Sequence, residues 1–380
     1  MPDTGSVEIT LGTYAANRLP GDPVWLMLVG PPSSGKGESL GALTGMPDLY
    51  AVGTITESGL LSGVKKDERA DDAQGGLLME MGKFGILLAK DFTSILSMSR
   101  DTRTAMLAAF REIYDGAWTR RLGVDGGRCL SWSGKMGLIA GVTQAIDSHH
   151  MVMAAMGPRF MFYRMTPVDA QAQARRALSH CGNEIEMREE LQGAVQRYFA
   201  TLDLGARPKL NSADTDLLVA LVEFVSSCRS AVERDSYSRE VVLVPQPEAP
   251  ARLVRSAAQL LAGLEVIGVQ PWRRRKLVRK VLLDSLPPVR RCVLDYVASF
   301  KADTVSESIM AVTNLPKQTI RTALQDLSCH GIMAQAGDGS GAWKIAQRWE
   351  KHIRVAYDIP PGSALRSVAM GGARTGTLNE

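Results

Sequence analysis

Three short apolar runs mark the first 150 residues: PVWLMLVG (23–30), FGILLA (84–89) and the start of GLIAGVTQAID (137–147). None alternates apolar with polar. A continuous run of this length predicts a strand buried on both faces, as in a parallel sheet covered by helices. Between the second and third runs lies SRDTRTAMLAAFREIYDGAW (99–118), where Met106, Leu107, Phe110, Ile113 and Tyr114 recur at helical spacing. That stripe predicts an amphipathic helix packed on the sheet, with Ser99 as N-cap and Asp101 in the first turn. TRRLGVDGGRCLSW (119–132) then places Asp125-Gly126-Gly127 between two short segments, which predicts a β-hairpin. Arg120, Arg121 and Arg128 flank its turn, so the hairpin is either a solvated basic ribbon or one that touches a nucleic-acid backbone.

The second half is helical in pattern. Residues 168–232 read as amphipathic helices, VPQPEAP (244–250) as a connector, and 251–268 as a further helix. Helices follow at 287–300, 306–314 and 316–333, then two short strands around a Gly-rich tip (334–346). Three helices and a ribbon form the rhythm of a winged helix-turn-helix. In that reading Lys317, Gln318, Thr319 and Arg321 open the helix that enters the major groove, and Lys344 sits beside the wing. A winged helix can equally serve protein contact. The run WRRRKLVRK (272–280) adds Arg273, Arg274 and Arg275 as candidate phosphate contacts.

Candidate chemistry begins where the first run ends. Gly30, Pro31, Pro32, Ser33, Ser34, Gly35, Lys36, Gly37 and Glu38 follow a strand and open a helix, the arrangement of a phosphate loop. Gly30 permits the sharp exit, Gly35 lets backbone approach phosphate, and Lys36 neutralises it. The expected cofactors are ATP and Mg2+. Gly37 departs from the pattern, because Ser or Thr normally supplies a magnesium ligand there. Asp91, ending the second apolar run, is the expected Mg2+ partner, or alternatively the cap of the next helix. Phe92 follows it where an activating glutamate is usual, leaving Glu57, Glu112 and Asp115 as base candidates.

Phosphate loop, acid-ended strand, long helix, basic hairpin, strand ending in Thr143, then Gly-Pro-Arg-Phe: this order resembles the AAA+ ATPases that carry a hairpin before the sensor-1 strand. FREIYDGAWTRRLGVDGGRCLSWSGKMGLIAGVT is the telling stretch. It is similar to the minichromosome-maintenance helicases, more distantly to bacterial enhancer-binding activators, and to phage and mobile-element ATPases labelled as winged-helix regulators. The likeness covers about residues 20–170 well and the rest loosely. It implies that Thr143 or Gln144 polarises the attacking water, that Arg159 is an arginine finger reaching a neighbouring subunit (or else a structural ion pair), and that Arg252 or Arg255 is the sensor-2 arginine of a lid helix.

The fold class expected is therefore an α/β P-loop NTPase (AAA+-like) core over 1–167, a helical linker and lid over 168–282, a winged helix-turn-helix over 283–350 and a disordered tail over 351–380. The function expected is an oligomeric DNA-binding ATPase, hexameric or a partial ring, acting as a replicative helicase or helicase loader of a mobile element. A nucleotide-responsive winged-helix regulator and an origin-recognition-like initiator are the alternatives. Composition alters this little: 380 residues suit two or three domains, and a net charge of +4 excludes nothing. Five scattered cysteines without a CxxC pair, no secretion signal and no run long enough to span a bilayer lead to an expected cytoplasmic location without a membrane partner. His180–Cys181 and His149–His150 lack a second element at metal-ligand spacing.

Overall fold

The computed structural model describes residues 4–62, 76–121, 129–149, 157, 159–206, 208–299, 306–336 and 342–360. From the N-terminus it runs α1 (Thr4–Arg18), β1 (Trp25–Val29), α2 (Lys36–Gly41), β2 (Leu49–Val52), α3 (Glu57–Leu60), α4 (Leu77–Met81) and β3 (Phe84–Ala89). Next come α5 (Thr93–Leu96), α6 (Arg100–Tyr114), β4 (Ala117–Arg121), β5 (Cys129–Ser133), β6 (Lys135–Val142) and β7 (Phe160–Arg164). The helices α7 (Ala170–Ser179), α8 (Glu184–Ala200) and α9 (Ser212–Arg229) follow, then β8 (Glu233–Arg234), β9 (Val241–Leu243), α10 (Ala251–Val266) and α11 (Pro271–Asp284). The chain continues through α12 (Pro288–Ser299), α13 (Ser306–Thr313), α14 (Lys317–Cys329), β10 (Met333–Gln335), β11 (Trp343–Ile345) and α15 (Glu350–Tyr357).

The three apolar runs become β1, β3 and β6, adjacent members of a five-stranded parallel sheet in the order β2-β3-β6-β1-β7. All five residues of β1 are buried, as are seven of the eight in β6, so both sheet faces are covered. On one face α6 packs its predicted stripe. Trp25 meets Phe110, Tyr114 and Phe160 at ring distances of 5.1–5.6 Å, and Phe92 closes the cluster against Phe110 and Phe160. On the other face lies α1, packed against α10. Small side chains let these two helices approach: a Cβ on Gly263 would fall 2.2 Å from the Gly12 carbonyl oxygen.

β7 is an edge strand, and side chains close its edge. The N–H of Phe162 donates to Ser285 Oγ at 2.9 Å and that of Arg164 to Asp284 Oδ2 at 2.8 Å. Edge N–H groups satisfied in this way are withheld from pairing with a further strand. The helices α10 and α11, expected to belong to a lid, thus pack on the sheet's own helical layer and on β7.

The chain divides into two units. The first comprises residues 1–218 and 248–285, the second 219–247 and 286–380. The second unit is held by a buried arginine. Arg290 donates to the carbonyl oxygens of Cys228 (3.0 Å) and Ser230 (2.6 Å) and pairs with Asp326, which also takes Arg234. Its helices α12, α13 and α14 pack together ahead of the antiparallel β10–β11 ribbon. The expected tip at 337–341 and residues 361–380 lie outside the described residues, and the expected disordered tail from 351 is corrected at its start, where α15 is a helix that buries Ile353 and Ala356.

Candidate nucleotide site

The loop leaves the sheet at Gly30, where a Cβ would lie 2.8 Å from Ser34 Oγ and 2.9 Å from Met165 Cγ. Ser33 and Gly35 take left-handed backbone, with φ of 61° and 89°. Left-handed residues in such a loop turn successive N–H groups toward one centre, the geometry of an anion nest. Lys36 opens α2 and folds back: its Nζ donates to the carbonyl oxygens of Gly30 (2.6 Å) and Pro31 (2.7 Å) and to Ser34 Oγ (3.3 Å). Burial lowers the pKa of Lys36, and the Asp91 carboxylate pulls it partly back. Lys36 and Asp91 both follow the same end of the sheet.

Strand register explains this placement. Val29 pairs with Val142, and Ala140 with Ala89, so Gly30, Thr143 and Asp91 leave the same end of three neighbouring strands. Two inter-strand spacings, about 10 Å, separate the backbone of the outer two. Thr143 lies between them, its hydroxyl 3.4 Å from that of Thr93 and its N–H donating to Thr93 Oγ1 at 3.3 Å. Asp91 also fixes the turn into α5 by accepting from Thr93 N at 2.9 Å. Thr93 escaped the sequence reading, although it stands two residues past the singled-out aspartate. Gln144 is exposed at the start of the turn after β6.

The departures now have a structural meaning. Phe92 is fully buried among aromatic rings, so position 92 points into the core rather than toward the loop. Gly37 is exposed, and a Cβ there would meet nothing within 4 Å. Of the base candidates, Glu57 follows the same end of the sheet through β2 but pairs with Arg120 at 3.3 Å. Asp115 is occupied by two arginines, and Glu112 shares its end of α6. Of the donors Mg2+ uses, this end of the sheet offers the Asp91 carboxylate, and Gly37 offers no hydroxyl, so water would have to supply the remaining ligands. Among the described residues no group of three or more His, Cys, Asp or Glu could hold a metal ion.

Several expected contacts move. Arg159 is buried and pairs with Asp115 at 2.6 Å, over the ring of Tyr114. It precedes Phe160, which pairs with Trp25, so it lies at the opposite end of the sheet from the loop of its own chain, about 17 Å of strand away. Arg252 joins the same cluster, pairing with Asp115 at 3.1 Å. Arg255 pairs with Asp22, just before β1. Contact of Arg252 or Arg255 with nucleotide in their own chain is therefore corrected: α10 begins at the far end of the sheet.

Two helices the sequence did not implicate reach the loop instead. Gln173 of α7 donates to the Ser33 carbonyl oxygen at 2.5 Å, and Arg188 of α8 pairs with Glu38 at 2.6 Å. The strongest basic run is also corrected. Arg273 pairs with Glu8, Arg274 with Glu265 and Asp214, and Arg275 with Asp214, so acids of the same unit neutralise all three.

The β4–β5 hairpin forms, pairing Ala117 with Ser133 through Arg121 with Cys129. Arg121 is exposed, Arg120 is tied to Glu57 and the Leu61 carbonyl oxygen, and Arg128 lies outside the described residues. On α14, Gln318 and Arg321 are exposed, Thr319 is half-buried and Lys317 pairs with Glu307; Lys344 is exposed on β11. No described helix is long and apolar enough to cross a membrane. No protein-family model matches the chain, and a search of curated proteins found no match.

Proposed function

We propose that the chain is a DNA-binding ATPase of AAA+ type that works as an oligomer, with ATP held between subunits. The observation that carries this reading is the division of polar and charged groups between the two ends of one sheet. Lys36, Asp91 and Thr143 gather at the carboxyl ends of β1, β3 and β6, where open α/β sheets bind ligands. Arg159 and Arg252 gather at the other end, beyond reach of that loop. Arginines so placed can act on the nucleotide of a neighbouring copy, where guanidinium stabilises charge on a transferring phosphoryl group.

In this reading the loop amides and Lys36 grip the phosphates, and Asp91 would hold Mg2+, which would supply charge neutralisation there. Thr143, braced by Thr93, orients the attacking water. Arg159 must leave Asp115 to reach a neighbour. The three helices ahead of β10–β11 support a winged helix-turn-helix whose α14 meets duplex DNA through Lys317, Gln318, Thr319 and Arg321, with Lys344 beside it. The role that follows is a replicative helicase or helicase loader of a mobile element. The buried Phe92 and bare Gly37 favour a second reading, a nucleotide-responsive regulator with little turnover.

A mixing experiment tests the shared site. Lys36→Ala and Arg159→Ala chains should each fail to hydrolyse ATP, and their mixture should recover activity. Absence of recovery, with wild type active, overturns the shared site. Tight duplex binding without wild-type turnover supports the regulator, and no ATP uptake by wild type overturns both readings.

A further inference from the structure

Glu38 and Arg188 meet beside the phosphate loop. Glu38 is the second residue past Lys36, and Arg188 comes from α8. Arg188 Nη2 lies 2.6 Å from Oε1 and its Nε 3.0 Å from Oε2, a two-point fork. The helices α7 and α8 make two more contacts nearby, one to the loop and one past the end of α2. Gln173 Nε2 donates to the Ser33 carbonyl oxygen at 2.5 Å, and Gln196 Nε2 to that of Thr44 at 3.4 Å. The attraction of Arg188 holds the Glu38 carboxyl below its ordinary pKa, so Glu38 is charged at neutral pH.

The Glu38 carboxylate is half exposed, so water screens its direct effect on a bound anion. What it does hold is an arginine that could itself bind phosphate. Guanidinium forks onto phosphate as it does onto carboxylate, and a triphosphate carries the greater charge. Both side chains are about half exposed, 52% for Arg188 and 47% for Glu38. Water can therefore solvate Glu38 once it is released, and an exposed pair is easily exchanged.

We propose that the Arg188–Glu38 pair is an autoinhibitory latch: Glu38 holds Arg188 away from the loop until a bound triphosphate takes the guanidinium in its place. The latch rests on the reading of residues 30–38 as a nucleotide site. It also gives α7 and α8 a path to sense nucleotide, since Arg188 and Gln173 tie them to the loop directly.

A double-mutant cycle on the full chain tests it, with an N-methylanthraniloyl-labelled ATP as fluorescent probe. Glu38→Gln should tighten probe binding by roughly twofold to fivefold, the scale of an exposed charge pair. Arg188→Ala should weaken it. In the Arg188→Ala background, Glu38→Gln should lose most of its tightening, because no guanidinium remains to be released. If Glu38 merely repels phosphate, its substitution tightens binding as much or more in that background, and the latch is overturned. Lys36→Ala separates the latch from the site reading. A probe that wild type does not bind, or that binds the Lys36→Ala chain equally well, overturns the nucleotide site and the latch together. Binding that depends on Lys36, with additive effects at 38 and 188, overturns the latch alone.

Discussion

Gly37 and Phe92 both break the usual pattern of a phosphate site, and the structure separates their consequences. Space is open at Gly37. Gly37→Thr should therefore fold as wild type does and raise both Mg2+ affinity and turnover, read by ATPase assays across a magnesium titration. Phe92→Glu should do the opposite of restoring a base. It would place a carboxylate in an aromatic core, costing at least about 3 kcal/mol, so the expected readout is a large loss of denaturation midpoint without gain in activity. Lys135 offers a test of burial itself. Burial pushes its pKa from 10.5 down to about 8, although Asp22 draws it back, and its Nζ donates to the Leu19 carbonyl oxygen. Between those two values the unfolded chain binds a proton that the folded chain does not, so this group makes stability rise with pH through that window. Lys135→Met should be more stable than wild type at pH 7, with the advantage shrinking by pH 9.5 in urea titrations.

At the scale of elements, the α1–α10 contact is the least expected feature and the easiest to break. The buried face of α1 is built from Gly5, Ser6, Thr10, Gly12, Thr13, Ala15, Ala16 and Asn17 around Ile9 and Tyr14. Such a face carries no apolar stripe to read, yet its small side chains allow helix backbones to meet. A Cβ on Gly263 would strike backbone, whereas one on Gly12 would strike the movable Leu264 side chain. Gly263→Ala should accordingly cost about 1–3 kcal/mol and Gly12→Ala less, both measured by thermal or urea unfolding. The hairpin makes a second test. Arg120 is already engaged by Glu57, while Arg121 is exposed. If the ribbon touches DNA, Arg121→Ala should lower the log–log salt slope of binding by about 0.9, one phosphate's worth, and Arg120→Ala by less.

At the scale of the whole molecule, the proposal assigns nucleotide to one unit and duplex contact to the other. Replacing Gln318 and Arg321 by Ala should then weaken duplex binding while leaving DNA-independent ATP turnover unchanged. Filter binding and an ATPase assay on the same preparations check the two halves. Loss of both activities together would count against this division.

What depends on neighbours in the chain was legible in the residues themselves. Continuous apolar runs forced β1, β3 and β6, because a strand buried on both faces needs no polar side. Glycine and lysine spacing forced the loop, and a 3.6-residue stripe forced α6. The order of the strands was beyond its reach, as was the fate of each charge, since these depend on residues far apart in the chain. A basic run looks the same whether solvent or Glu8, Asp214 and Glu265 faces it, and tertiary packing chose the acids. Arg188 gave no signal because its partner lies 150 residues away. Folding also put Arg159 and Arg252 on one carboxylate, because parallel register sends the start of β7 to the end of the sheet opposite the loop.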